Sequence, residues 1–165
     1  HPQRKQESPY LSNANRLADV IAAIQVLATY KFYKLDFDAW ANRISGDRSH
    51  AGHWQAVFEQ HPEFFRLDSS RKKASLVWRR QHRKRYDVDQ SREISQARYE
   101  SLSAEHKARV SRTPLEPDEI TALIGTAISL HGQQLESRKD NRWLVTALFG
   151  LLGVTIGGAL AAFTQ

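Results

Sequence analysis

"DFDAWANRISGDRSHAGHWQAVFEQHPEFFRLDSSRKKASLVWRR" (residues 36–80) decides how this chain folds, because three kinds of local signal follow one another within it. Asp36 is placed to cap a short helix in which Phe37, Trp40, Ala41 and Ile44 recur at spacings of three and four, and Gly46 stops it. "GDRS" (46–49) forms a turn. Ser49 then opens another helix, which carries Ala51, Trp54, Val57 and Phe58 on one side and ends at Pro62. After Pro62 the period changes. "EFFRLD" (63–68) and "KASLVWRR" (73–80) read as two β-segments joined by the polar hairpin "DSSRKK" (68–73).

Upstream, "SNANRLADVIAAIQVLAT" (12–29) sets Leu17, Val20, Ile21, Ile24, Leu27 and Ala28 on one helical face, with Ser12 or Asn13 available as cap. "YKFYKLD" (30–36) reads as a short extended piece. In element order, spacing and terminal ribbon, residues 12 to 81 resemble the winged helix-turn-helix family. That resemblance implies a recognition helix over 49–60 entering the DNA major groove and a wing over 68–74 touching backbone or minor groove. The outward positions of this third helix are His50, His53, Gln55, Glu59 and Gln60. Gln and His can touch base edges, whereas Glu59 would repel phosphate.

Positive charge is concentrated elsewhere. The chain has 165 residues and a net charge of +6, which favours an anionic partner. Residues 69–86 hold Arg71, Lys72, Lys73, Arg79, Arg80, Arg83, Lys84 and Arg85 with no acid among them, a local charge of +8. These eight are the candidate contacts to nucleic acid or another anionic partner. The winged-helix unit is therefore drawn over 12–86.

Residues 87–116 read as a polar helical linker. "SREISQARYESL" and "SAEHKARVSR" are helix-compatible but carry few apolar positions, and "TPLEP" breaks the run. From Pro117 an amphipathic stalk helix is expected over 117–142, where Ile120, Leu123, Ile124, Ala127, Ile128, Leu130, His131 and Leu135 form a stripe. Next comes "WLVTALFGLLGVTIGGALAAF" (143–163), 21 residues without a charge. As a helix it spans roughly 31 Å, close to the hydrocarbon thickness of a bilayer. Trp143 stands at the interfacial position, and Arg138, Lys139 and Arg142 precede the run. The expectation is a tail-anchored, single-pass membrane protein with its N-terminal domain cytoplasmic. Gly153 and Gly157 form GxxxG, and with Gly150 and Ala161 they would pack one membrane helix on another. The fold class expected is thus mainly α with a small β-hairpin: a winged-helix domain, a helical stalk and one C-terminal transmembrane helix.

A second resemblance covers more of the chain. "LADVIAAIQVLATYKFYKLDF", "HPEFFRLDSSRKKASLVWRRQ" and "TPLEPDEI" with the apolar run resemble a group of small bacterial membrane proteins, some of which go by the name N-carbamoyl-L-amino acid hydrolase. Amidohydrolases of that kind use a pair of metals held by His, Asp and Glu in a much larger chain, and the residues here do not support the activity.

Cysteine is absent, which excludes disulfides, thiolate metal sites and cysteine nucleophiles. Asp47, His50 and His53 come nearest to a metal set, with the histidines one turn apart, but no further ligand is positioned beside them. "GVTIGG" lacks the Lys-Ser/Thr ending of a phosphate loop. No catalytic residue, metal or cofactor is assigned. The function expected is a non-enzymatic membrane-held module for protein interaction or assembly, with a membrane-tethered nucleic-acid binder as the alternative. The implied partners are membrane lipid, a second copy or another membrane protein, and nucleic acid.

Overall fold

A computed structural model of the chain describes residues 8–162, with side chains described for 8–139. A short helix α1 (Pro9–Ser12) leads into α2 (Arg16–Thr29), whose Val20, Ala23, Ile24, Leu27 and Ala28 are fully buried. Strand β1 (Lys34–Asp36) runs directly into α3 (Phe37–Ser45), which buries Trp40 and Ala41. Gly46 ends α3 at φ +75°, donating its N–H to the Asn42 carbonyl. That left-handed conformation is the reason for glycine at this position. Asp47 accepts the Ser49 N–H at 2.8 Å and so starts a 3₁₀ turn (Arg48–His50) that passes into α4 (Ala51–Gln60). Helix α4 buries Trp54, Val57 and Phe58.

Strands β2 (Phe65–Leu67) and β3 (Lys73–Leu76) pair antiparallel, Phe65 opposite Leu76 and Leu67 opposite Ala74. β1 pairs with the other edge of β3, so the sheet order is β1-β3-β2. The Trp40 indole N–H donates to the Ala74 carbonyl at 2.9 Å and ties the helices to the central strand. Phe58, Phe64 and Phe65 fill the space between, Phe58 and Phe65 edge to face with centroids 5.1 Å apart.

Three expectations are corrected. The first concerns the β-content: the chain is mixed α/β with two three-stranded sheets, not mainly α with one hairpin. The span 87–116 is not wholly helical. β4 (Tyr86–Asp87) pairs with β5 (Arg92–Glu93) and with β6 (Val110–Ser111), while α5 (Gln96–Glu100) and α6 (Ala104–Ala108) are single turns. Strands of two residues carry no alternation to read. They are held by Val88 and Val110, both buried, and by the Ser111 hydroxyl accepting the Tyr33 N–H at 3.0 Å.

Second, β3 stops at Leu76 instead of running through Arg80. Val77 takes helical angles and Trp78–Gln81 forms a 3₁₀ turn, which carries Arg79 inward to 0% exposure. Its guanidinium donates to the carbonyls of Leu27 (2.9 Å), Tyr30, Lys31 (3.1 Å) and Arg112 (2.8 Å). The last carbonyls of a helix have no partner within it and carry partial negative charge, so a cation at the end of α2 satisfies both needs. Burial pulls the guanidinium down to about 10, still charged at neutral pH.

The third correction is the membrane span. Helix α7 (Pro117–Ala162) is long, but among the described residues no helix is long and apolar enough to cross a membrane. The part of α7 with described side chains is amphipathic and carries Asp118, Glu119, Glu136, Arg138 and Lys139. It buries Leu123 and Ala127 against the domain core, with Ile120, Ile124 and Leu130 beside them. The transmembrane helix over 143–163, the tail anchor, the single-pass localisation and the cytoplasmic orientation derived from it are withdrawn together. Gly150, Gly153, Gly157 and Ala161, expected to pack membrane helices, lie outside the residues whose side chains are described.

Replacing Arg79 by Met leaves several buried carbonyls without a donor. Its expected cost is about 3 kcal/mol of unfolding free energy, read as a lower urea midpoint. Arg79→Lys recovers only a minor part, because a single ammonium lacks the planar fork that reaches four carbonyls.

Candidate functional site

The basic run that is continuous in sequence separates in space. Arg71, Lys72 and Lys73 leave β3 at its start, whereas Arg80, Arg83, Lys84 and Arg85 follow its end, and Arg79 lies inside. At the β2–β3 hairpin two of the three cations are matched. Arg71, at φ +55°, meets Glu59 of α4 at 3.0 Å, and Lys73 stands 3.8 Å from Asp36. The turn itself is built by Asp68, whose carboxylate accepts the N–H groups of Lys72 and Lys73 and the Ser70 hydroxyl. Beyond β3, Arg80, Arg83 and Lys84 are exposed and have no side-chain partner among the described residues, and Arg85 donates to the neutral Gln96 at 2.7 Å.

The outward face of α4 is neutral or internally paired. His50 stands 3.9 Å from Asp47, the Gln55 amide donates to Glu59 at 3.1 Å, and Gln60 is exposed. His53 does not join His50 and Asp47 in a ligand set. It turns to Asp19 of α2, 3.2 Å from Oδ2 but without the alignment of a hydrogen bond. Among the described residues no group of three acids or histidines could hold a metal ion.

A polar cluster unforeseen in the sequence fastens α7 to the domain. His61 is fully buried, and its Nδ1 lies 3.0 Å from Glu63 Oε1, which also accepts the Tyr10 hydroxyl at 3.1 Å. The Tyr10 ring meets His61 edge-on at 4.5 Å and His131 of α7 at 5.7 Å. Burial, then the Glu63 charge and its hydrogen bond, push the Tyr10 phenol far above the ordinary tyrosine value. For Glu63, burial acts to raise the carboxyl, but hydrogen bonds from His61, its own backbone and Tyr10, with the His61 charge, hold it below the usual range. The only sequence signal for this cluster was the pairing of polar residues with apolar spacing: His131 sits within the α7 stripe, and His61 directly precedes Pro62.

At the other end of α7, Glu119 lies 3.1 Å from His82 Nε2 while its second oxygen accepts the Glu116 N–H at 2.9 Å. Helix α7 is therefore held at two points, and its opposite face is open. Ile128 is 51% exposed and Leu135 41%. Gly125 and Gly132 lie on the same side, and a Cβ built on either meets nothing within 4 Å.

Because the folded-state value of Glu63 is depressed, its contribution to stability is complete above the ordinary value of 4.5 and is lost as pH falls through the lower folded value. Glu63→Gln is expected to flatten that acid limb in urea-unfolding curves recorded across the same pH range. Comparison of the chain with protein-family models, with curated proteins and with solved structures finds no match.

Proposed function

We propose that this chain is a non-catalytic interaction module: a winged-helix unit that carries α7 as a self-association helix, with a second copy of the chain as partner. The winged-helix reading is supported by the element order α2-β1-α3-α4-β2-β3 and by the placement of β1 beside β3. The use of that frame for protein contact is supported by the neutral, internally paired face of α4 and the paired cations of the wing. A helix meant for phosphate would leave such cations free.

One observation carries the assignment. Gly125, Ile128 and Leu135, all exposed, and the half-buried Gly132 follow one another at spacings of three and four along one side of α7. A two-fold axis across two antiparallel copies of α7, at the level of residue 130, sets Ile128 opposite the partner copy's position 132. It sets Leu135 opposite position 125. Each large side chain then meets a glycine. That is the complementarity an isologous interface requires, since the same patch must fit itself. Glycine allows the close approach, and the branched chains fill the space it leaves. Both side chains are already about half covered, so burying the rest contributes roughly 1 kcal/mol each.

The full chain is expected to sediment as a dimer, and Ile128→Asp as a monomer. Gly132→Leu is the sharper test. Position 132 has open space around it in the single chain, so the variant keeps its fold while blocking the socket for Ile128. Retention of the dimer by Gly132→Leu, or a monomeric wild type at tens of micromolar concentration, would refute the assignment.

A further inference from the structure

Between the loop that follows β3 and the β4-β5 ribbon lies a cleft of about 370 Å³, within the size range of small-ligand pockets. Gln81, Arg83, Arg85, Ile94 and Thr113 line it, together with Glu93. The Glu93 carboxylate is engaged by the Thr113 hydroxyl, so it stands at the wall already hydrogen-bonded. Of the cations in this loop, Arg83 and Arg85 line the cleft; Arg80, Arg83 and Lys84 have no side-chain partner among the described residues, and Arg85 meets only the neutral Gln96. Guanidinium groups pair two bonds at a time with phosphate as with carboxylate oxygens, and several cations together suit a ligand that carries more than one negative charge, as a phosphate does.

The loop is held in place before any ligand arrives. Arg112 donates to the carbonyls of Arg80 (2.6 Å) and His82, His82 is fixed on Glu119, and the Ile94 N–H donates to the Arg85 carbonyl at 2.9 Å. Arg79, one residue upstream, is anchored in the interior. A preorganised loop binds without a large ordering cost.

Trp78 is 38% exposed and begins the 3₁₀ turn that ends at Gln81. Side chains three apart in such a turn share one face, and Gln81 lines the cleft. Exposed indole next to unpaired guanidinium is the combination that takes a base by stacking and its phosphate by charge.

We propose that this cleft binds a nucleoside phosphate, with the phosphate on Arg83 and Arg85, Arg80 and Lys84 adding field, and the base on Trp78. The ligand is a free nucleotide or one unit of a single-stranded nucleic acid, which share this chemistry. The site is separate from the wing and does not depend on self-association through α7.

The full chain is titrated against a fluorescein-labelled oligothymidylate of about 12 nucleotides by anisotropy, and against ATP by competition. Binding of the strand that ATP does not displace assigns a nucleic-acid strand, and displacement by ATP assigns a free nucleotide. Affinity is expected to fall with salt by a log–log slope of about −2 to −3, for three or four cations each releasing about 0.7 ion. Arg83→Glu with Lys84→Glu, both at exposed positions, is expected to weaken binding at least about tenfold. Trp78→Ala is expected to weaken it by about 5- to 150-fold. Arg71→Glu with Lys72→Glu at the wing leaves it unchanged. The proposal is overturned if neither probe binds, if Trp78→Ala binds as well as wild type, or if the wing variant loses binding and the loop variant keeps it.

Discussion

The guanidinium of Arg79 joins parts of the chain that lie far apart in sequence. Its donors reach the last carbonyls of α2, the 30–31 segment that follows, and the carbonyl of Arg112 just before α7. No carboxylate neutralises it among the described contacts, and the negative ends of peptide dipoles take that part. A buried cation is tolerable only when its hydrogen-bonding capacity is filled. Here that capacity is filled entirely by backbone. The consequence is geometric: the end of α2, the entry to β1 and the segment leading into α7 are fixed relative to one another by this side chain together with the Leu115–Ala28 and Tyr33–Ser111 hydrogen bonds.

From that junction the placement of α7 follows. The Leu115 N–H donates to the Ala28 carbonyl at 3.0 Å, so α7 begins where α2 ends and returns along it. Leu123 and Ala127 then fall on the core, and His131 arrives at Tyr10 some turns later. A helix clamped at Glu119 and again at His131 has its rotation settled. Which side chains face outward is no longer free, and among the described residues of α7 Ile128 and Leu135 are the large apolar ones left in water. The exposure of Ile128 and Leu135 is thus a consequence of how α7 is docked, not of the stripe alone.

The same docking sorts the basic residues. A run of eight cations in eighteen positions reads as one patch, yet a strand and a tight turn lie inside it. Arg71 and Lys73 at the β2–β3 hairpin are paired with Glu59 and Asp36, Arg79 is taken into the interior, and Arg83 and Arg85 line a cleft. Charge density along a chain measures attraction to anions only when the side chains share a surface.

Helical periodicity placed α2, α3 and α4 because each buries one face, so that Val20, Ile24, Trp40, Trp54 and Phe58 announce themselves by spacing. Gly46 and Pro62 marked ends that depend on backbone geometry alone. Sequence by itself therefore determined the elements with local causes, and the hairpin between Phe65 and Leu76 among them. It did not reach the second sheet, whose two-residue strands exist only through pairing with distant partners. Nor did it reach the burial of Arg79, because an arginine after a strand is a surface residue unless helix-end carbonyls from fifty residues away converge on it. Tertiary structure decided those points, and with them the exposure of Ile128 and Leu135 on α7 and the cleft lined by Arg83 and Arg85. Contacts between residues far apart in the chain leave no periodic trace in either partner.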